Sequence, residues 1–449
     1  SSITINKGAN LGSNGITNNS NIGTFIVNEN LTYNGNGNDR ITQALEVAKD
    51  KTLTIGSNGT LSFDSKNGNV NNLGTIAGNL ANVKDSTITN FNNSGTISGN
   101  LYNDGHIDTL SNTGTMGTIY NTSKETIVAL GNGEGATIEA VNNTGNINII
   151  TNDGTINGQI TSQNNSEIKE IRIGENGIVN AKGTLNSSNM QDKSNDAVSL
   201  DTINTTLIHN QGTIQGNVRV VGQGSVIGEI NNQDTISGCI LADGGKIGNI
   251  NNANGAIANC MSFSSGANVD NLNNSGTIKD KITNDSGSIT INNGGSGSIG
   301  GITTSNGGTT NISNGGFQNS GGNIGLITNT GSNSTTNIIE WNVGNPDNPK
   351  SPIKVAGDNL GGINTGTIYV DVTPGKVYDV EQIVVGEDIN GDGIEDGVDS
   401  NGDSLADQLN NGQGIFDSLK HAADIMEIID EGDGKFSTGL DTKELSGKT

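Results

Sequence analysis

The sequence predicts an all-β protein, a right-handed parallel β-helix with coils of about 20–21 residues and a short acidic C-terminal region containing one helix. Three observations predict it. A short phrase of Gly, a small residue and Ile recurs along most of the chain. Its spacing alternates between 10 and 11 residues, so that identical residues fall into columns. The composition is dominated by Asn, Ser, Thr and Gly, with only 15% charged residues against about 25% in an ordinary domain.

The phrase is clearest at Gly95-Thr96-Ile97, Gly154-Thr155-Ile156 and Gly276-Thr277-Ile278. From position 234 it starts, in that form or a close variant, at 234, 245, 255, 266, 276, 287, 297 and 308. The repeat is therefore 21 residues with two similar halves, and one column reads Ile236, Ile257, Ile278 and Ile299. In a stacked coil such residues lie about 4.8 Å apart and fill the interior as a ladder. Asn and Gly fall between the strands. Both tolerate the left-handed backbone of sharp corners, and Asn also stacks on Asn through its amide.

The organisation follows from where the rhythm holds. Residues 1–70 are read as an N-terminal cap and first coils, 71–385 as the β-helix, and 386–449 as an acidic tail. The phrase is lost at 186–205, read as a loop leaving one corner, and at 331–365, read as an irregular coil. The latter holds Trp341, Pro346, Pro349 and Pro352. Trp341 reads better as packing at the end of the core than as an exposed binding aromatic.

The tail changes chemistry. Counting Asp388 as the first position of a loop, side-chain oxygens follow from Asn390, Asp392, Asp396 and Asp399, with a backbone carbonyl from Ile394 and a turn-forming Gly393. The pattern recurs as Asp399, Asn401, Asp403 and Asp407. Calcium takes six to eight oxygens wrapped around it, and this spacing supplies them. The two loops resemble the calcium loops of dockerins and thrombospondin type 3 repeats, which implies a structural calcium ion. Residues 414–429 place Ile415, Leu419, Ala422, Ala423, Met426 and Ile429 at helical spacing.

Charge and composition narrow the function. A net charge of −24, with 376–449 alone at −13, repels phosphate backbones, so a nucleic-acid partner is not expected. No apolar run of transmembrane length occurs. Gly295-x-Gly297-x-x-Gly300 matches a dinucleotide fingerprint, but no helix is expected to follow it. Asn284-Asp285-Ser286-Gly287-Ser288 is similar to a serine-protease phrase, but sits in register with the repeat. The three histidines, His106, His209 and His421, suggest neither a triad nor a zinc site. Gly35–Ile41 resembles one unit of a calcium nonapeptide, present once, and reads as a turn before a strand. No catalytic centre is expected. The rival class is a polysaccharide-active β-helix enzyme, which would need clustered carboxylates on one face, and a further alternative is a self-associating S-layer subunit.

Cys239 and Cys260 are 21 residues apart and so occupy one column on neighbouring coils. Such a spacing brings the Cα atoms within disulfide range. A disulfide and two buried thiols both remain open at this point.

The Asn-Gly-Thr-Ile phrasing, the small-residue coils and the scarcity of Cys resemble the autotransporter (type V secretion) passengers of Gram-negative bacteria, over roughly residues 1–385. The strand region Val370-Asp371-Val372-Thr373-Pro374-Gly375-Lys376 is similar to the end of such passengers. The resemblance implies a non-enzymatic adhesin on the cell surface or released from it, binding a host or bacterial cell-surface protein or glycan, with self-association as a further mode. Membrane attachment would come only through a C-terminal β-barrel, which this sequence does not contain.

Overall fold

A computed structural model describes residues 1–56, 59–122, 126–386, 405–423 and 426–440. The chain is a parallel β-solenoid of about 15 turns with coils of about 21 residues and one C-terminal helix. It divides into two compact units, Ser1–Ile230 with Asp234–Gly238, and Asn231–Gln233 with Cys239–Thr449.

In the first unit a typical coil has three short strands, for example Thr87–Asn93, Thr96–Ile97 and Leu101–Asn103. Alternate residues point inward, as the two-residue period of a strand requires. Three interior columns result. One runs Phe25, Leu45, Val70, Phe91, Leu110, Leu130, Ile150, Ile171 and Ile208. Another runs Leu53, Ile76, Ile97, Met116, Ile138, Ile156, Val179, Ile214 and Ile236. The third runs Leu61, Leu80, Leu101, Ile119, Val141, Ile160, Val198 and Val218. These side chains are essentially fully buried. Each contributes roughly 1.5–3 kcal/mol of hydrophobic stabilisation.

Two glycines of the phrase, Gly95 and Gly114, have a different reason from the one expected. A Cβ on Gly95 would lie 1.9 Å from the Gly74 carbonyl oxygen, and one on Gly114 would lie 2.0 Å from that of Gly95. Glycine is required there because successive backbones nearly touch, not because the turn is left-handed. Other glycines of the phrase do take the expected left-handed corner, with φ 76° at Gly245, 84° at Gly255 and 75° at Gly266.

Asn fills the corners from inside. Asn72 Nδ2 donates to Asn93 Oδ1 at 2.7 Å, Asn93 to Asn112 at 2.7 Å, Asn112 to Asn132 at 2.8 Å and Asn132 to Asn152 at 2.7 Å. A second ladder runs from Asn82 through Asn103 and Asn121 to Asn143. Every donor points to the following coil, so the ladders are polar. At their start Asn72 stands over Val47 and Asn82 over Phe63, and the Oδ1 atoms of both lack a donor. In the first coils Glu29 accepts from Lys51 Nζ and from Gly8 N–H, which draws its carboxyl down to about 2. That contribution is in place above the usual carboxylate range and is lost as pH falls toward 2.

The stretch expected to leave the coil at 186–205 is only partly outside it. Asp196–Thr202 is a strand that pairs with Ile160–Ile173 and Asn217–Val221. The excursion before it is fastened to the flank. Asn195 Nδ2 donates to the carbonyls of Asn186 and Asn189, and Asn217 Nδ2 to that of Met190. Arg219 Nε donates to Asp196 Oδ2 at 2.7 Å and its Nη2 to the Gln191 carbonyl at 2.5 Å. Arg219 is 8% exposed and Asp196 3%, so this is a buried ion pair.

In the second unit the coils use longer, bent strands such as Thr277–Asp285 and Ser298–Ser305. The expected Ile column is corrected by one residue. Ala258, not Ile257, pairs with Ile278, followed by Ile299 and Ile324, and Ile257 pairs with the outward Thr277. A slip of one residue changes the face a side chain occupies, and the phrase alone does not fix it. A third amide ladder runs from Asn232 through Asn252, Asn274 and Asn293 to Asn314.

Cys239 and Cys260 are paired as a disulfide, with Cα atoms 4.5 Å apart. Closing a loop of this length stabilises by about 3 kcal/mol in the chain-entropy picture. The double variant Cys239→Ala, Cys260→Ala is expected to lose about that much in urea unfolding. A loss below about 0.5 kcal/mol would show that the stack already restrains the unfolded loop.

The 331–365 region keeps coil strands at Thr335–Gly344 and Ile353–Ala356. Trp341 is fully buried and its Nε1 donates to the Ser351 carbonyl at 2.8 Å. The tail departs most from expectation. The helix is Leu405–Gly412, ending in left-handed Asn410 and Asn411, each with φ 56°. The helix expected at 414–429 does not form. Leu419–His421 instead pairs with Ile368–Val370 as a further coil strand, and Met426–Gly432 forms a hairpin with Lys435–Leu440. The sheet edge offers hydrogen-bond partners to Leu419–His421, and that pairing overrides a 3.6-residue pattern only four turns long. Asp433 and Gly434 supply the hairpin turn, and both have positive φ, as does Gly432 before them. Tyr378 stacks on Phe436 with centroids 5.9 Å apart, joining this hairpin to the solenoid end.

Candidate functional site

Because inward positions are taken by apolar side chains, Asn and a few Thr and Ser, the outward positions hold whatever the molecule presents to others. In the first unit one outward column is Thr52, Thr75, Thr96, Thr115, Thr137 and Thr155, a hydroxyl on each successive coil. A second face is built from the strands Thr60–Phe63, Asn79–Asn82, Leu101–Asn103, Ile119–Asn121 and Val141–Asn143. Its central outward column is Ser62, Ala81, Tyr102, Tyr120 and Asn142. The two tyrosine rings stack with centroids 5.1 Å apart and planes 7° apart. Asn100 Nδ2 donates to the Tyr102 hydroxyl at 3.3 Å. No motif announced this pair. The signal was there as Leu101-Tyr102-Asn103 and Ile119-Tyr120-Asn121, an aromatic between an inward aliphatic and an inward Asn at one coil's distance.

In the second unit an outward amide column lies beside the buried one. Asn251 Nδ2 donates to Asn231 Oδ1 at 2.8 Å, Asn273 to Asn251 at 2.8 Å and Asn292 to Asn273 at 3.0 Å. Asn273 and Asn292 border a surface cleft of about 460 Å³ that also meets Phe317 and Glu340. A neighbouring cleft of about 430 Å³ has Phe317, Tyr369, Phe416, Leu419 and Met426 on its walls, with Lys420 and Glu427 supplying charge. On the same unit Asp347 accepts from Lys376 Nζ at 2.5 Å and raises that ammonium above its ordinary range.

The expected calcium ligands Asp388, Asn390, Asp392, Ile394, Asp396, Asp399, Asn401 and Asp403 lie outside the described residues. Asp407 is described, and is exposed in the first turn of Leu405–Gly412. Among the described residues no group of three or more His, Cys, Asp or Glu side chains is gathered as a metal would require. His106 contacts Asp108 at 2.8 Å. His421 accepts from Ala423 N–H through Nδ1, so its Nε2 donates to the Val372 carbonyl. Ser288 begins a strand in register with Thr309, as the repeat predicts, and Gly295–Gly300 leads into the strand Ser298–Ser305. Among the described residues no helix is long and apolar enough to cross a membrane. Compared with family models, curated proteins and solved structures, the chain matches none.

Proposed function

We propose that the chain is a surface-exposed or secreted bacterial passenger, an adhesin without an active site that attaches its cell to host or neighbouring cell surfaces. The observation supporting this is the repetition of one outward residue type at one-coil spacing, seen in the Thr column from Thr52 to Thr155. Many weak hydroxyl and amide contacts at a fixed spacing suit an extended partner, whose binding adds up by multivalency. The purified chain, immobilised, should capture cells in a dose-dependent way. Release of reducing ends from a polysaccharide, with no capture, would replace this reading with the enzymatic one.

The same reading takes calcium as a structural ion of the 388–407 loops, on the spacing of their oxygens. Chelation with EGTA should lower the melting midpoint by about 2 °C or more, since an ion that binds only the folded state stabilises it. An unchanged midpoint would count against the loops.

A further inference from the structure

We propose that Tyr102 and Tyr120 form the centre of a platform for a neutral pyranose polysaccharide, one sugar of which stacks on Tyr102 over Ala81. The inference deepens the attachment reading and rests on it.

The first argument is the placement of aromatics. The first unit contains six, and Phe25, Tyr33, Phe63 and Phe91 are buried in its core. Tyr102 and Tyr120 alone among them point outward, and Tyr102 is 37% exposed. Aromatic surface of this kind in water is characteristic of recognition patches.

The second is shape. The rings are nearly parallel, so one face of Tyr102 meets Tyr120 and the other is turned toward the preceding coil. That coil carries Ala81 at the same register, and the one before it Ser62. Ala81 ends at Cβ, so the far face of the Tyr102 ring stands uncovered above a small-residue ledge. A pyranose presents a face of C–H groups that packs on such a ring while its hydroxyls project at the rim.

The third is polarity and charge. The outward positions of the five strands are Thr60, Ser62, Asn79, Ala81, Tyr102, Tyr120 and Asn142, none of them ionisable apart from the phenols. These strands carry no formal charge, the column meets a cation only at Arg40, two coils before Ala81, and the net charge of −24 disfavours an acidic ligand. Amides border the ledge. Asn79 Oδ1 accepts from Asn100 N–H at 2.8 Å, and Asn100 Nδ2 reaches the Tyr102 hydroxyl. On the other side Thr161 Oγ1 donates to Asn142 Oδ1 at 3.1 Å. Each amide keeps hydrogen-bonding capacity for sugar hydroxyls. The coil spacing of about 4.8 Å repeats these groups along the axis, so a linear glycan would follow the column.

The test is calorimetric titration of the full chain with cellohexaose, chitohexaose and maltohexaose, and with acidic oligogalacturonate and heparin fragments. At least one neutral hexasaccharide should bind. Tyr102→Ala should weaken it about tenfold or more, and Tyr102→Phe by no more than about threefold, since the ring and not the hydroxyl makes the contact. Ala81→Leu should weaken it as much as Tyr102→Ala by filling the ledge while leaving both tyrosines in place. Melting curves would verify that each variant is folded. Absence of neutral binding at millimolar sugar, tighter binding of the acidic fragments, or unchanged affinity in Ala81→Leu would overturn the proposal. If wild type, Tyr102→Ala and Ala81→Leu capture cells equally, the attachment reading stands and this site does not.

Discussion

Asn112→Asp is expected to destabilise the first unit by about 4 kcal/mol or more at pH 7, the sum of several buried polar groups left opposed. Asn112 Nδ2 donates to Asn132 Oδ1, Gly114 O and Thr137 O, at 2.8, 3.1 and 3.0 Å. A carboxylate replaces that donor with an acceptor and faces three acceptors in a site with no exposure. The buried carbonyls would push the introduced carboxyl above its ordinary range. The folded state then binds the proton more tightly than the unfolded one. The damage is therefore smallest at acid pH, where the group is protonated, and grows as pH rises through the ordinary carboxylate value. Asn292→Asp makes the same chemical change on the exposed outer ladder and should cost under about 1 kcal/mol. Urea unfolding at pH 4 and pH 7 compares the two. Equal losses at the two sites would mean that burial of the ladder is not what gives it its energy.

Arg219→Met is the second large effect, at about 3–5 kcal/mol, because it strands Asp196 in a dry site. The guanidinium also holds the Gln191 carbonyl, so its loss should free the excursion before Asp196. Limited proteolysis should then cut within 182–195 while the coil strands stay intact. The double variant Asp196→Leu, Arg219→Met should recover most of the stability, since an apolar pair of similar volume removes both desolvated charges. It should not restore protection of the excursion. Recovery of both would show that the pair fastens nothing.

The solenoid itself was legible because its signal is redundant: many phrases at one period outweigh any single misplaced residue. Register was less legible. Ile257 and Ala258 are neighbours, and the phrase Gly255-Ala256-Ile257 reads as well as its neighbours, yet the backbone enters that strand one residue later. The role of Gly95 and Gly114 was misread because composition shows only that glycine is present, while the approach of two carbonyls is a property of the stack. The tail failed for a related reason. Leu419 and His421 are inward and Lys420 outward, an alternation of three residues too short to outweigh a helical pattern until the partner strand Ile363–Val370 is in place. Of the candidate sites, the cysteines follow directly from the period, whereas the stacked tyrosines required knowing that an aromatic between two inward residues faces out.

The direction of the amide ladders sets where the first unit holds together. Both begin on the coil that carries Asn72 and Asn82, and their last donors reach Ile178 O and Ser166 Oγ. The coils before Asn72 rest on Val47 and Phe63 and have no such rung among the described residues. The unit is therefore a laced block with a plainer lead-in, and its opening should be stepwise. The lead-in separates first, at the seam where an amide oxygen meets a hydrocarbon, and the laced coils follow together. Hydrophobic columns make every coil equivalent to its neighbours; the polarity of a few asparagines gives the stack a beginning.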